Sequence, residues 1–479
     1  MLKGGILNMT KKVAFHTLGC KVNQYETNAM IQQFLAKGYQ LVNFNEFADV
    51  YVINTCTVTN MADKKSRQML RKVKELNKDS IVVATGCYAQ VAADNVAKID
   101  EIDIVLGNDE KKEIVEFVET FRVRNVLNDF DGDNCEKNVD NALENILNKR
   151  KLVSVSDINK STEYLEFGTV LHLETTRAVI KIQDGCNNFC SYCIIPYARG
   201  RIRSRCKASI LNEIKEIVKL GIKEVVLTGI HIASYGKDKN DGYYLIDLLE
   251  DINKIEGLER LRLGSLEPLI ITEEFCERLG KVDKICEHFH LSLQSGCDTT
   301  LKRMNRKYLT SDFRKCVDLL RKTFKEVSLT TDIIVGFPGE TDEEFIETFE
   351  FLKEIKFFKM HVFKYSRRNG TVAASMKGQI DEKVKDERSK KLIELSNANE
   401  QEYLNEYLDK PVEVLFEEEK NGEWIGHTKN YLTVKVDAKL LNEKYFDRDE
   451  LAGEEKFKNL ILNVKVKMVE NLMLVGTLD

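Results

Sequence analysis

Residues 178–193 read AVIKIQDGCNNFCSYC, an apolar strand-like run followed directly by three closely spaced cysteines. Cys186, Cys190 and Cys193 have the spacing C-x3-C-x2-C, and a helix-like segment comes next. Because ligands gather where parallel strands end, this stretch predicts a metal-binding loop at the carboxyl edge of a parallel sheet. We call these three cysteines the loop thiols.

The donor chemistry of the loop thiols narrows the choice of metal. Thiolates are soft ligands that select zinc, copper(I) or iron–sulfur clusters. A structural zinc site normally closes with four protein ligands, and no fourth cysteine or histidine is close by in the sequence. Three thiolates on a four-iron cluster leave one iron without a protein ligand, open to a substrate or cofactor. The alternative is a loop of three buried thiols that bind no metal.

The alternation of strands and helices continues after the loop. Strand-like segments lie at 224–230, 258–268, 288–296, 327–337 and 358–366, and most are separated by amphipathic helical segments. Together with the first run they make six βα units. This pattern predicts a central partial (β/α)6 barrel of parallel strands within residues 168–408.

A second series of strands and helices occupies residues 11–125 and predicts an N-terminal parallel α/β sheet domain. Its first three strand-like segments lead into Cys20, Cys56 and Cys87, which we call the strand-end thiols. Parallel strands end at one edge of their sheet, so these three cysteines should converge in space. Each one alone is more simply a buried core thiol, but together they predict a second three-thiolate site.

The rest of the chain has weaker patterns. Residues 126–167 are rich in Asn and Asp and predict a polar linker with a short helix near Ala142–Asn148. A long charged helix is predicted at 381–408, and residues 409–479 alternate strands and turns as a small C-terminal β-barrel does. The other cysteines have no ligand spacing and are predicted to be dispensable: Cys135, Cys206, Cys276, Cys286, Cys297 and Cys316.

Composition and apolar patterning argue against a disordered, a membrane-spanning or a secreted protein. The 479 residues include 43% hydrophobic and 31% charged side chains, which is typical of a folded protein. The net charge is −5, so any nucleic-acid surface must be a local patch. No apolar run approaches the ~20 residues of a membrane helix, and no secretion signal is recognisable. We expect a cytoplasmic protein with no membrane partner, whose twelve cysteines serve metal binding or catalysis rather than disulfides.

Several motifs resemble one known family. GCNNFCSYC resembles the cluster loop of radical S-adenosylmethionine (SAM) enzymes, and TLGCKVNQYET, INTCTVT and ATGCYAQ resemble the N-terminal domain of methylthiotransferases. The tail resembles a TRAM domain, a small β-barrel that binds RNA. The resemblance covers residues 11–479, and KVNQYET after Cys20 is most similar to the subgroup that acts on N6-threonylcarbamoyladenosine in tRNA.

This resemblance implies a chemistry for both cysteine sets. The loop thiols would hold a [4Fe–4S] cluster whose open iron binds SAM, and the strand-end thiols would hold a second [4Fe–4S] cluster that carries sulfur. An electron passed through the first cluster would cleave SAM and release a 5′-deoxyadenosyl radical, which abstracts hydrogen from adenine C2. A second SAM would supply the methyl group. The cofactors carry the difficult chemistry, and the protein orients them.

The implied reaction places a methylthio group on C2 of N6-threonylcarbamoyladenosine at position 37, next to the tRNA anticodon. The implied partners are tRNA, an electron donor such as flavodoxin or ferredoxin, and a sulfur source. One alternative is the same reaction on isopentenyladenosine in tRNA or on a ribosomal protein side chain. Another is a non-catalytic iron–sulfur or zinc protein that binds RNA.

Other residues are candidates to contact SAM because they lie in the cluster loop or near strand ends. The six are Tyr192, Thr228, Gly229, Glu267, Gln294 and Asp332. Tyr192 would pack on the adenine, Thr228 and Gly229 would approach the methionine end, and Glu267 would accept from the ribose hydroxyls. Polar groups on apolar strands need partners, which the cofactor would supply. Ordinary packing or a structural hydrogen bond is the alternative at each position.

Basic residues next to the loop predict an RNA contact. If residues 197–205 are extended, Arg199, Arg201, Arg203 and Arg205 project to one face and can bind phosphates. A solvated charged face is the alternative. Residues 301–308 (LKRMNRKY) form a second basic group. The tail from Pro411 has ten Lys or Arg against fourteen Asp or Glu, so RNA binding there requires a local stripe such as Lys429, Lys435, Lys465 and Lys467.

Overall fold

The computed structural model describes residues 10–130, 151–172, 176–444 and 457–478. Cys135 and the helix predicted near Ala142–Asn148 lie outside these residues. The chain divides into two compact units. The first contains Met1–His172, Asp184–Asn187 and Cys193–Arg203, and the second contains Leu173–Gln183, Asn188–Tyr192 and Ser204–Asp479. The domain boundaries expected from the sequence stay predictions.

The first unit is built on a parallel sheet. Its elements are β1 (Lys12–Thr17), α1 (Lys21–Ala36), β2 (Gln40–Val42), β3 (Val50–Thr55), α2 (Asn60–Leu76), β4 (Ile81–Gly86), α3 (Cys87–Val91), α4 (Ala93–Ala97), β5 (Ile104–Leu106), α5 (Ile114–Phe130), β6 (Leu152–Ser154) and α6 (Ile195–Arg199). The strand order is β2-β1-β3-β4-β5-β6, and all neighbours are parallel.

Alternating side chains of the central strands feed two separate cores in this unit. Val50 and Val52 pack in one cluster with Phe34, whereas Tyr51 and Ile53 pack in another cluster on the opposite face. Successive residues of a strand point to opposite faces, so a strand buried on both sides reads as a continuous apolar run. The run Val50–Thr55 is buried throughout, and its first four residues are apolar.

The second unit holds the other α/β series and the C-terminal strands. Its elements, together with those at its boundary, are β7 (Arg177–Asp184), β8 (Arg203–Ser204), α7 (Lys207–Lys219), β9 (Glu224–Gly229), α8 (Leu245–Asn253), β10 (Arg260–Leu263), α9 (Glu273–Leu279), β11 (His288–Gln294), α10 (Asp298–Arg303), α11 (Thr310–Thr323), β12 (Ser328–Val335), α12 (Asp342–Ile355), β13 (Lys359–Lys364), α13 (Val372–Ser375), α14 (Glu382–Asn405), β14 (Pro411–Lys420), β15 (Glu423–His427), β16 (Thr433–Asp437), α15 (Ala438–Lys444), β17 (Ile461–Glu470) and β18 (Met473–Thr477).

These strands form a partial barrel and a closed barrel. One sheet has the order β10-β9-β7-β8 and the next has the order β11-β12-β13. A parallel bridge between Leu266 and Leu291 links the two sheets. β14, β15, β16, β18 and β17 close into a small barrel, whose core includes the buried Trp424. None of the helices in the described ranges has the length and apolar character needed to cross a membrane.

The predicted α/β fold class is confirmed, with a parallel sheet, a partial barrel and a small C-terminal barrel. Two strands of the first sheet were not predicted, β2 and β6, and β6 lies within the segment expected to be a linker. Each has only three residues. A run this short carries no usable periodicity, and pairing with a neighbouring strand decides its conformation.

Candidate functional site

The strand-end thiols lie at one edge of the first sheet. β1, β3 and β4 are parallel neighbours, and the cysteines follow their carboxyl ends. Cys20 is the N-cap of α1, Cys56 comes directly after β3, and Cys87 is the first residue of α3. Burial raises the pKa of the Cys20 thiol, and the backbone N–H groups of Val22 and Asn23 at the start of α1 oppose that rise.

A glycine brings two of these turns together. Gly19 has φ +101°, and a Cβ there would stand 2.8 Å from the Cys56 Sγ and 2.9 Å from the Cys56 Cβ. No larger residue could hold the turn before Cys20 this close to Cys56. The close approach explains the glycine in the TLGC motif.

The three strand-end thiols influence one another electrostatically. Burial raises the pKa of the Cys56 thiol to about 11, and Cys87 and Cys20 add to the rise. Cys20 keeps contact with solvent, but protein atoms crowd its sulfur, and this burial raises its pKa while Arg199 opposes the rise. Thiols that disfavour each other's ionisation become thiolates together only when a metal takes the place of their protons.

The donor set fits an iron–sulfur cluster better than a single ion. Within the ranges that the structure describes, no three His, Cys, Asp or Glu side chains are close enough to share one metal ion. A mononuclear zinc site needs such a set because its bonds are only about 2.0–2.3 Å long. Three soft thiols at one sheet edge match a [4Fe–4S] group, which cysteines commonly hold.

Gly86 gives a first test of this geometry. Its φ is +94° and ψ is −170°, a region that is essentially restricted to glycine. A Cβ there would stand 2.5 Å from the Thr55 carbonyl oxygen and 2.5 Å from Asn54 Oδ1. We expect Gly86→Ala to lower the free energy of unfolding by about 1–3 kcal/mol and to reduce bound iron by displacing Cys87.

Urea unfolding and iron analysis check this expectation. Gly422→Ala is a matched control, because Gly422 also has a positive φ but a Cβ there meets nothing within 4 Å. It should lose stability only through backbone strain and keep its iron. Equal iron content in the Gly86 variant and the unmodified protein would contradict the expected displacement.

Of the loop thiols, Cys190 belongs to the second unit. It is buried, and the Arg306 Nη1 donates to its sulfur over 3.3 Å. Arg306 is held by the Ser292 carbonyl, 3.0 Å from Nη2, and by the Tyr308 hydroxyl, 2.9 Å from Nε. Cys190 is thus a soft sulfur donor with a fixed hydrogen-bond partner, which fits a cluster ligand. Cys186 and Cys193, in the first unit, are half-buried.

Polar contacts fix the loop around Cys190. The Asn188 Nδ2 donates to Glu267 Oε1 over 3.2 Å and lies 3.3 Å from the His231 Nε2. His231 and Glu267 pair at 3.0 Å. Burial alone would raise the pKa of Glu267, but His231, Arg306 and Asn188 together hold it below its usual range. Glu267 is therefore an ionised group next to the cluster loop.

The other SAM-contact candidates have the following surroundings in the structure. Thr228 is buried at the end of β9, and Gly229 lies against Gln183, since a Cβ there would be 2.9 Å from the Gln183 carbonyl oxygen. Gln294 ends β11 with φ +72°. Asp332 pairs with His290 at 3.2 Å. The contacts of Gly229 and Asp332 provide the structural alternative at those two positions, and a role in SAM binding stays a prediction for all four residues.

Tyr192 follows Ser191 in the same loop. Its ring packs against a small buried cluster that includes Met304, Phe337 and Tyr365. Its neighbour Ser191 donates from Oγ to the Arg303 carbonyl over 2.8 Å. The segment 301–308, predicted as a second basic group for RNA, thus contacts the cluster loop through the Arg303 carbonyl. Arg303 is paired with Glu344.

The predicted row of four exposed arginines is wrong. Residues 195–199 are helical and only Arg203–Ser204 is a strand, so the side chains do not alternate along one extended segment. Three guanidinium groups are buried and Arg201 alone is exposed. The buried groups pair with remote carboxylates: Arg199 with Glu26 and Asp184, Arg203 with Asp109, and Arg205 with Glu213. Local sequence does not reveal such partners.

The sequence did not reveal that two arginines contact thiols. Arg306 donates to Cys190, and the Nε of Arg199 donates to the Cys87 Sγ over 3.3 Å. Residue spacing in the sequence does not indicate either contact, because the two partners lie 116 and 112 residues apart. Asn188 and His231 were also missed. A polar residue inside the cysteine loop was the only available signal for Asn188.

Two family models match the chain. The one described as "Uncharacterized protein family UPF0004" matches residues 12–107, and the Radical SAM superfamily matches residues 180–352. TsrM from Kitasatospora setae, a radical S-adenosylmethionine methyltransferase solved with cobalamin and a [4Fe-4S] cluster, superposes with a TM-score of 0.52 at 16% identity. That match covers 76% of this chain and 77% of TsrM and shows a shared fold.

Curated relatives are similar along most of the chain. The threonylcarbamoyladenosine tRNA methylthiotransferase MtaB of Bacillus subtilis is 43% identical over 88% of this chain and 89% of its own length. A tRNA-2-methylthio-N(6)-dimethylallyladenosine synthase of Clostridium tetani is 35% identical over 89% of each chain. This chain therefore belongs to the radical SAM tRNA methylthiotransferases, enzymes whose cofactors are S-adenosylmethionine and [4Fe–4S] clusters.

Proposed function

We propose that the protein transfers a methylthio group to C2 of N6-threonylcarbamoyladenosine at position 37 of tRNA. The observation that carries this proposal is the convergence of Cys20, Cys56 and Cys87 at one sheet edge, in a chain that also has the loop thiols. Two sets of three thiols provide for two [4Fe–4S] clusters, each with one iron that no protein ligand occupies.

The identity of the nucleoside rests on the relatives. Relatives named for threonylcarbamoyladenosine reach 43% and 41% identity, whereas those named for dimethylallyladenosine reach 36%. The difference extends over matches of similar length and supports threonylcarbamoyladenosine as the substrate. Dimethylallyladenosine is the second candidate, because its enzymes also align with most of the chain.

The bound cofactors would supply a hydrogen-abstracting radical, a sulfur atom and a methyl group. The chain's own residues would hold and orient them. Arg306 would donate a hydrogen bond to the Cys190 sulfur, and Asn188 and Glu267 would keep the loop in one conformation through their hydrogen bonds. Our candidates for SAM contact near the strand ends remain Thr228, Gly229, Gln294 and Asp332. Residues that hold a cofactor in place before the reaction remove much of the entropic cost of that reaction.

Partners follow from the same proposal. Cluster reduction needs a low-potential electron donor of the flavodoxin or ferredoxin class, and each turnover consumes sulfur from a separate source. For RNA we retain Arg201, which is exposed, and the small barrel. Lys435 is not available to phosphate there, because it is held between Glu423 and Glu470. From the proposed tRNA substrate we infer a cytoplasmic location.

Nucleoside analysis of a deletion strain tests the proposal. We expect 2-methylthio-N6-threonylcarbamoyladenosine to disappear, its unmethylthiolated precursor to accumulate, and the gene in trans to restore the product. Unchanged 2-methylthio-N6-threonylcarbamoyladenosine would refute the assignment. Loss of the dimethylallyl product instead would favour the second candidate, and loss of neither would point to an acceptor other than these two nucleosides.

A further inference from the structure

One buried guanidinium connects the turns that carry the strand-end thiols. Arg199 has no solvent exposure, and it follows Cys193 by six residues in the first unit. Its Nε donates to the Cys87 Sγ over 3.3 Å. Its two Nη groups donate to Glu26, to Asn23 Oδ1 over 2.6 Å and to Asp184 over 3.3 Å.

Asn23 extends this network to the other two thiols. Its Nδ2 donates to the Leu18 carbonyl over 2.7 Å and to the Thr55 carbonyl over 3.1 Å. Leu18 lies in the turn before Cys20, and Thr55 directly precedes Cys56. Arg199 therefore touches Cys87 directly and reaches the other two cysteine turns through a single side chain. The residues that accept hydrogen bonds from Arg199, Asn23 and Glu26, are the Asn and Glu of the KVNQYET motif.

The direction of the Nε–H is the informative feature. Glu26 already accepts from both Nη groups and also pairs with the buried Lys111. The ion pair with Glu26 uses only the two Nη groups, and the buried Nε–H needs an acceptor of its own. In this structure the acceptor is the Cys87 sulfur, so the guanidinium meets a group that belongs to the proposed cluster site.

We propose that Arg199 is a positioning residue for the strand-end cluster, which it stabilises in its reduced state through an Nε–H hydrogen bond to the Cys87 thiolate. This rests on the proposed function, in which the strand-end thiols hold a [4Fe–4S] cluster. Hydrogen bonds to cluster sulfurs and nearby positive charge raise the reduction potential. One electron added to the cluster increases its negative charge, and the fixed guanidinium favours that form over the oxidised one.

The test isolates the strand-end cluster in the full chain. The background protein contains Cys186→Ala, Cys190→Ala and Cys193→Ala, is grown with ¹⁵N-labelled arginine, and is reconstituted anaerobically with iron and sulfide. We expect about four irons per chain, as one [4Fe–4S] cluster requires. After reduction with dithionite, pulsed EPR should show a weak ¹⁵N coupling, and a redox titration gives the midpoint potential.

Arg199→Lys in this background should abolish the ¹⁵N coupling and make the potential more negative while iron is retained. Arg203→Lys is the control, since Arg203 is also buried and contacts Asp109, Asp184 and the Arg199 carbonyl rather than a thiol. It should leave coupling and potential unchanged. An unchanged potential in Arg199→Lys, or equal shifts in both variants, would overturn the proposal.

The outcomes separate this proposal from the function on which it rests. A background protein that binds no iron would refute the strand-end cluster itself. A background protein with four irons but no ¹⁵N coupling would refute only the role of Arg199, and this result needs no Arg199 variant to fold. Iron content and the spectrum are both independent of methylthio transfer.

Discussion

Cys56→Ala is expected to abolish methylthio transfer while reductive cleavage of SAM continues. Cys56 is one of the strand-end thiols, so its loss should release about four of eight irons per chain. The loop thiols lie elsewhere in the sequence and should keep their cluster and bind SAM. We expect the fall in product to exceed the ~10–100-fold that loss of an outer partner of a metal ligand causes. Iron analysis and chromatography of the nucleoside and of 5′-deoxyadenosine measure both effects.

Cys316→Ala is the matched control. Cys316 is a buried thiol of α11 that packs in the core of the second unit, and it has no role in either cysteine set. Its substitution removes one sulfur from the core and should leave iron content and product formation at the level of the unmodified protein. Full iron content and normal product in Cys56→Ala would disprove the second cluster.

Glu224→Ala is expected to cause the largest loss of stability, about 3–5 kcal/mol. Glu224 is fully buried at the start of β9, where its carboxylate pairs with Arg262 at 2.7 Å and with Arg260 at 3.9 Å. Both arginines are themselves buried. Removal of the carboxylate would leave the buried Arg262 without its ion pair, whereas Arg260 would keep Glu413 at 2.9 Å. An unpaired buried cation costs far more than the loss of an exposed pair.

These arginines also attach the small barrel. The Arg260 Nη1 donates to the His427 carbonyl over 2.9 Å, and the Arg262 Nη1 donates to the Lys429 carbonyl over 3.1 Å. The Tyr431 ring lies under the Arg262 guanidinium. We therefore expect Glu224→Ala to loosen the small barrel as well, which limited proteolysis near residue 410 would reveal.

Urea unfolding with two controls measures the effect of Glu224. Glu224→Gln keeps an acceptor for Arg262 and should lose less stability than the alanine variant. Glu277→Ala removes the exposed pair with Lys281 and should cause no measurable change, because solvent already screens those charges. Equal stability of Glu224→Ala and Glu277→Ala would show that the buried pair contributes nothing.

Most of the fold could be predicted from local patterns. Strands such as Val50–Thr55 and Ile81–Gly86 begin with continuous apolar runs, and the helix between them has amphipathic spacing, so their type and order are visible in the sequence. The three-residue strands β2 and β6 escaped prediction. Their conformation depends on pairing with β1 and β5, and such pairing is not a property of the segment itself.

The cysteine sets were also visible in the sequence, whereas their surroundings were not. A cysteine directly after a strand is a local feature, and a parallel sheet brings such positions to one edge. The arginines after the loop illustrate the opposite case. From the sequence alone, Arg199 is expected to be a solvated charge. In the fold it is buried and pairs with Glu26, which lies 173 residues away along the chain. The charge of a side chain can be read from the sequence, whereas its exposure to solvent depends on the tertiary structure.

The sequence alone determined the order of strands and helices, the two sets of three cysteines and the family, because each depends on residues that are neighbours along the chain. Only the tertiary structure decided which basic groups face solvent and which face a thiol. Arg199 and Arg306 reach Cys87 and Cys190 across more than a hundred residues. Contacts of this kind follow from the packing of sheet, loop and helix, so they become visible only when the chain is folded.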